Sequence, residues 1–261
     1  GYTGSRVLRL ARSRGLSVRG TVRSSDSALA LRAEGFAIEV LPELDQRIAA
    51  FIDRQTHVVI AFPPDRETER RIAGALAEAH SSAYISSTGV YGGLRGRIDR
   101  HSQTPPPDER AARILGAEAI YRAHGASILR SPGIYGPDRG LHVRVIRGEH
   151  RIPGDGSRTL SRIHVDDLAA LALATADAPA ETFVIGDLAP AAHIEVVRFI
   201  CEGYRVPMPP SVPLESLHAS LRADRAIDAS YALAKLSVTL RYPSYREGMA
   251  PEATGIAIHS M

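Results

Sequence analysis

The first 23 residues constrain this chain more than any other stretch. Gly1-Tyr2-Thr3-Gly4 opens a run in which Val7, Leu10 and Ala11 share one helical face, and the run ends at Gly15. Leu16 to Val22 then alternates as a strand does and stops at Arg23-Ser24-Ser25. A glycine turn, a helix, a strand and a polar strand end make up the second half of a dinucleotide-binding βαβ unit. A side chain at Gly1 would hold the backbone away from a pyrophosphate, and Gly4 is expected to bring the helix close to the sheet. The N–H groups of Tyr2, Thr3 and Gly4 have no acceptor within the helix and face the phosphates. About 20 residues after the turn, such units read the adenosine ribose. An acidic side chain there would accept from a 2′-hydroxyl, whereas Arg23 beside Ser24 suits a 2′-phosphate. The expected cofactor is therefore NADP rather than NAD. The fingerprint also calls for a strand, and usually another glycine, immediately before Gly1. The expectation is an N-terminally truncated unit whose first strand is absent from this chain.

Beyond this unit, strand and helix periods alternate. Gly35 to Leu41, His57 to Phe62, Ala83 to Ser87, Ala126 to Arg130 and Thr182 to Ile185 read as strands, with His57 to Phe62 apolar enough to be buried on both faces. Helical spacing places a short helix through Ile48, Ala49 and Ile52, and longer ones at Glu67 to His80, Leu141 to Arg147, Ile194 to Glu202 and about Leu221 to Leu236. Asp108 is placed to cap another, with Ala111, Ile114, Leu115 and Ala119 on its apolar side. Gly92 to Pro107 reads as loop, and the prolines between Pro207 and Pro213 mark an extended connector. Pro63-Pro64 makes a stiff corner at the carboxyl end of a strand, which places Phe62 and Pro63 along the adenosine side. The pattern predicts an α/β fold, a doubly wound and mostly parallel Rossmann sheet. Residues 1–135 form the NADP-binding domain, and the irregular 136–261 form a small C-terminal substrate lobe with return elements to the sheet.

Composition narrows the function classes. An apolar fraction of 44% and a charged fraction of 23% are those of an ordinary globular protein. The single cysteine, Cys201, excludes an internal disulfide and suits a reducing cytoplasm. No apolar run reaches membrane-spanning length. The net charge is only +3, and the arginines are scattered rather than striped with aromatics, so nucleic acid is not an expected partner. A membrane is not expected either; a small-molecule substrate is, and a homodimer is allowed. No His/Cys cluster has metal-ligand spacing, and no serine sits in a Gly-x-Ser-x-Gly elbow.

Three motifs stand in a telling order: Ile85-Ser86-Ser87-Thr88-Gly89-Val90-Tyr91-Gly92, then Arg130-Ser131-Pro132-Gly133-Ile134-Tyr135-Gly136-Pro137, then Arg162-Ile163-His164-Val165-Asp166-Asp167-Leu168. Together they resemble the extended short-chain dehydrogenases/reductases, which include NAD-dependent epimerases and dehydratases. The closing Tyr242-Pro243-Ser244-Tyr245-Arg246-Glu247-Gly248 is similar to an atypical subgroup of NADP-binding epimerases. The resemblance implies a Rossmann fold, hydride chemistry at nicotinamide bordered by Pro132, Gly133 and Ile134, and a substrate lobe. It also implies a serine or threonine, a tyrosine and a lysine, with nearby positive charge lowering the tyrosine's pKa so that it can move a proton.

The family serine falls on Ser87. Counted back from Glu118, the tyrosine and lysine fall on Arg110 and Ile114, and neither side chain can do that work: arginine stays protonated and isoleucine is apolar. Tyr231 and Lys235, the literal Tyr-x-x-x-Lys match, lie in the C-terminal lobe and are rejected as the dyad. Tyr91 and Tyr135 are candidate replacements, and Tyr91 joins Ser87 as the catalytic assignment. In nucleotide-sugar epimerases an arginine four residues before the matching histidine grips the diphosphate. That position here is Leu160, flanked by Arg158 and Arg162. Two functions follow: an oxidoreductase acting on a small carbonyl or hydroxyl compound without its dyad, or a non-catalytic NADP-binding sensor. A methyltransferase is disfavoured because Arg23 stands where its acidic ribose contact would be.

Overall fold

A computed structural model of the chain describes residues 1–216 and 223–257. Apolar residues three and four apart make α1 (Tyr2–Ser13) amphipathic, and Val7 and Ala11 are buried along it. β1 (Arg19–Val22) follows, shorter than its alternation predicts. Ser24 then caps α2 (Ser25–Ala33), a helix not anticipated from the sequence, by accepting from the Ser27 N–H at 3.3 Å. β2 (Ala37–Val40) runs parallel to β1, with Arg19 opposite Ala37.

β3 (His57–Ile60) leads to α3 (Glu67–Ala73), which tightens into a 3-10 turn over Gly74–Glu78 instead of continuing to His80. β4 (Ser81–Ser87) and β5 (Arg95–Ile98) precede α4 (Glu109–Ala123), whose cap Asp108 accepts from the Ala111 N–H at 2.7 Å. Ala111 and Ile114 are buried as expected, but Ala119 is exposed. After β6 (Ala126–Ser131) and β7 (Gly133–Tyr135) come α5 (Leu141–Ile146), the short strands β8 (Ile152–Pro153), β9 (Thr159–Leu160) and β10 (Arg162–His164), and α6 (Val165–Ala174). The chain continues through β11 (Thr182–Val184), β12 (Ala191–Ala192), α7 (His193–Tyr204), β13 (Ser211–Val212), β14 (Asp224–Ile227), α8 (Ser230–Lys235) and α9 (Tyr245–Gly248).

The sheet that positions the site has the order β11-β6-β4-β3 and is parallel throughout. β1 and β2 form their own ladder, and among the described residues no ladder joins them to β3. β3 pairs with β4 and, among the described residues, with no other strand; Val58 packs against the core that holds Tyr84 and Val59 against the core that holds Leu129, so the strand is packed on both faces while both valines stay half-buried. Two further expectations are corrected by one pairing. Arg95 to Ile98, read as loop, and Asp224 to Ile227, read as helix, are parallel partners, with Arg97 opposite Ala226. Neither segment has a decisive local signal; each becomes a strand because the other satisfies its backbone. Leu221 and Arg222, the start of the expected helix, lie outside the described residues.

One core joins both ends of the chain: Val7 from α1, Ala83 from β4 and Leu129 from β6 pack with Leu168 and Leu171 from α6 and with Phe183 from β11. A second core lies in the C-terminal half, where α7 buries Val196, Val197 and Ile200 against Tyr135, Val145 and Tyr245. Among the described residues no helix is long and apolar enough to cross a membrane. Phe183 has no exposed surface and sits where the C-terminal strand returns to the sheet. Phe183→Ala should therefore lower unfolding stability by about 3–5 kcal/mol in urea titrations; a loss under 1 kcal/mol would mean that this return strand is not part of the cooperative core.

Candidate functional site at the carboxyl edge of the sheet

β4 and β6 end side by side, with Ser87 opposite Ser131. Open α/β sheets bind ligands beyond such strand ends. The Ser87 hydroxyl oxygen accepts from the Gly89 N–H at 3.0 Å and opens the 3-10 turn Thr88–Tyr91. A Cβ placed on Gly89 would lie 3.2 Å from Ser87 Oγ and 3.4 Å from Ile114 Cδ1, so the serine and the isoleucine flank the same glycine. Position 114 therefore borders Ser87, and it carries a hydrocarbon. Arg110, one turn earlier on α4, is exposed.

What holds α4 in this register is a buried carboxylate. Glu118 has no exposed surface; it accepts from Ser86 Oγ at 2.6 Å, from Arg130 Nε at 3.0 Å and Nη2 at 2.7 Å, and from Arg122 Nη2 at 3.3 Å. Arg130 Nη1 also donates to the Tyr91 hydroxyl at 3.1 Å. The Tyr91 ring is fully buried among Val90, Ile98, Ile114, Val184 and Ile227. Its ring thus serves packing and its oxygen serves Arg130, which leaves Ser87 as the assigned catalytic residue closest to open space. Tyr135 is similarly committed: it is 2% exposed, its hydroxyl donates to the Ser244 carbonyl at 3.2 Å, and burial pushes its pKa up. Tyr231 donates to Glu181 at 2.9 Å, which supports its exclusion from any dyad.

On the cofactor side, Gly1 is the N-cap of α1, the first turn carries no acidic residue, and a Cβ on Gly1 or Gly4 would meet no atom within 4 Å. The expectation that Gly4 allows close packing on the sheet is thus corrected: both glycines border open space, as a backbone cradle for phosphate requires. Tyr2 turns away from that space and lies against the loop after β7, where a Cβ on Gly136 would collide with the Tyr2 hydroxyl. This contact brings the glycine turn to the end of the segment that holds Pro132, Gly133 and Ile134. Gly133 is exposed, while Pro132 and Ile134 are half-buried. Arg23 is exposed at the end of β1, and among the described residues it has no ion pair. Ser24 caps α2, Phe62 packs partly into the core behind β3, and Pro63 is exposed.

In the C-terminal half, Arg158 and Arg162 flank Leu160 but both are buried, so neither presents an open guanidinium. Arg158 Nη1 donates to the Ala223 carbonyl at 3.2 Å, and Arg162 lies 5.4 Å from the centre of the Tyr245 ring. His164 accepts from the Asp166 N–H at 3.2 Å and packs on Tyr242, and burial pulls its pKa down to about 4. A buried histidine pair, which no sequence motif marks, lies elsewhere in this half. His150 and His193 meet through their Nε2 atoms at 2.8 Å, and burial lowers them to about 4 and about 3. No local pattern marks that pair, because its members are distant in the chain.

No family model matches this sequence, and a search of curated proteins finds no match. Solved structures do match, over nearly their whole length. A functionally unknown conserved protein from Silicibacter pomeroyi DSS is 27% identical, with 98% of this chain and 95% of that one covered at a TM-score of 0.83. UDP-glucuronic acid 4-epimerase from Bacillus cereus, in complex with NAD, is 16% identical over 97% of this chain and 94% of that one, with a TM-score of 0.78. MoeE5, in complex with UDP-glucose and NAD, is 21% identical over 95% and 93%, with a TM-score of 0.76. The chain shares the fold of these structures, a mixed α/β, Rossmann-like architecture around a parallel sheet. In that fold the Glu118 network ties α4 to the strands that end at the site. Glu118→Ala leaves Arg130 buried without its counter-charge and should cost about 3–5 kcal/mol in chemical denaturation. A variant within 1 kcal/mol of the native chain would show that the network does not hold α4.

Proposed function

We propose that this chain is an NADP-binding oxidoreductase of the epimerase/dehydratase type, acting on a small carbonyl or hydroxyl compound without a Tyr-x-x-x-Lys dyad. The similar structures of the epimerase and of MoeE5 hold NAD, which supports a nicotinamide dinucleotide here. The amides of Tyr2, Thr3 and Gly4 would hold the pyrophosphate beside Gly1. Phe62 and Pro63 would line the adenosine side, and Pro132, Gly133 and Ile134 the nicotinamide, whose ring supplies or accepts hydride when bound. The preference for NADP rests on Arg23, which stands exposed and, among the described residues, without an ion pair, where an acidic residue would select NAD. Ser24, next to it, adds the amino end of α2, although its hydroxyl is engaged as the cap. The free Cys201 thiol fits a reducing cytoplasm.

Ser87 would donate its hydroxyl proton as a hydrogen bond to the substrate oxygen. With Ile114 bordering its turn and Tyr91 tied to Arg130, neither of these two positions supplies Ser87 with an acid–base, a loss of about 10²- to 10⁴-fold in rate. The contact of Ile114 with the Ser87 turn favours a second function on the same site, a non-catalytic sensor of NADP occupancy.

Fluorescence titration should give tighter binding of NADPH than NADH by about tenfold or more, a gap that Arg23→Ala closes; equal affinities in the native chain would remove the role given to Arg23. Turnover of NADPH against a carbonyl panel, lost in Ser87→Ala, marks the enzyme, and tight binding without turnover marks the sensor. In the enzyme, Arg110→Tyr combined with Ile114→Lys should raise turnover by about 10²-fold. No gain would mean that α4 does not face the reacting atoms.

A further inference from the structure

The outer face of α7 carries a row of charges whose reverse is its own complement. Val196, Val197, Ile200 and Tyr204 turn inward and are buried. Away from them, Glu195, Arg198 and Glu202 follow one another at steps of three and four residues, so they share one face of the helix, and Arg205 continues the row at the C-cap. All four are exposed, and among the described residues none of them makes an ion pair. Glu195 and Arg205 lie five residues either side of Ile200, and Arg198 and Glu202 two residues either side. Laid antiparallel on a copy of itself about Ile200, the row sets every charge against its opposite.

The same face borders a groove of about 470 Å³, lined by Arg198, Cys201, Glu202, Val206 and Met208. Arg198 and Glu202 are one turn apart, a spacing at which helix side chains can pair, yet they make no ion pair across the groove. Cys201, Val206 and Met208 supply the apolar part of the lining, and Met208 is 46% exposed. Pro207 and Pro209 stand on either side of Met208 and restrict the connector, so little freedom is lost when it is covered. An apolar strip with charges at its rim is the anatomy of a surface that meets another protein.

We propose that this face is an interface between two copies of this chain, with their α7 helices antiparallel about a two-fold axis that passes close to Ile200. Arg198 of each copy then pairs with the partner's Glu202, and Glu195 with the partner's Arg205, as a two-fold contact requires: what one residue does to a second, the second's copy does in return. The groove lined by Val206 and Met208 closes between the two copies. A parallel alignment of the same helices sets Glu195 on Glu195 and Arg198 on Arg198, so the charges fix the direction. One helix face and a short connector make a small contact, and the association is accordingly micromolar. Nothing in this interface depends on a bound nicotinamide cofactor.

The test is sedimentation velocity of the whole chain, without cofactor, at about 100 µM, where a Kd of about 10 µM or tighter leaves mostly dimer. A dimer is expected for the native chain. Arg198→Glu sets glutamate against the partner's Glu202 at both ends of the contact, and Glu202→Arg sets arginine against the partner's Arg198. Each single variant should associate at least about 100-fold more weakly and sediment as a monomer. Mixed in equal amounts, the two variants should regain the dimer, because each reversed charge then meets its opposite on the partner. Both positions are exposed, so each variant should keep the thermal transition of the native chain, which is checked first. A native chain that sediments as a monomer, a dimer that either folded variant leaves intact, or variants that stay monomeric when mixed would each overturn the proposal.

Discussion

The Glu118 carboxylate has no exposed surface, and the site depends on how its oxygens are satisfied. Burying an ion costs several kcal/mol, which is recovered only when hydrogen bonds of good geometry surround it. Here Ser86 comes from β4, Arg130 from β6 and Arg122 from α4 itself. Because Arg130 also reaches Tyr91, the same charge sets the turn that follows Ser87. The rotation of α4 about its own axis is then fixed. One turn before Glu118, Ile114 meets the Ser87 turn, and one turn earlier still Arg110 is exposed.

The C-terminal half is integral to the fold. α6 and β11 supply Leu168, Leu171 and Phe183 to the core that also contains Val7, Ala83 and Leu129. A boundary at residue 135 therefore divides a sequence pattern but cuts through a packed core. The tail after α8 is equally engaged. Arg241 and Tyr242 donate their backbone N–H groups to Asp167 at 2.7 and 2.9 Å, and Ser244 and Glu247 form a capping box at the start of α9. Through these contacts the tail holds the segment after β11 and the buried face of Asp187.

Charge distribution sorts the two ends of the site. At the amino end of α1 the helix dipole is positive, no carboxylate lies in the first turn, and Arg23 is exposed, a setting for phosphates. Across the sheet, beyond β11, arginines are either buried or paired while Asp187 is left with an unserved oxygen.

Much of the first layer was legible from residue order alone. Helical spacing of Val7, Leu10 and Ala11, the run ending at Ser87, and Asp108 placed before Ala111 and Ile114 are local signals, complete within a few residues, and each became the element it announces. The identities of Arg110, Ile114 and Arg23 were likewise legible at counted positions. Tertiary structure alone decided the rest, because the deciding partner lies far along the chain. Arg95 to Ile98 became a strand through Asp224 to Ile227. Tyr91 lost its standing as a proton carrier when Arg130 took its oxygen, and Gly4 proved to face open space instead of a strand. Periodicity reports what a residue presents to its own element; what meets it there is set by the packing of distant segments.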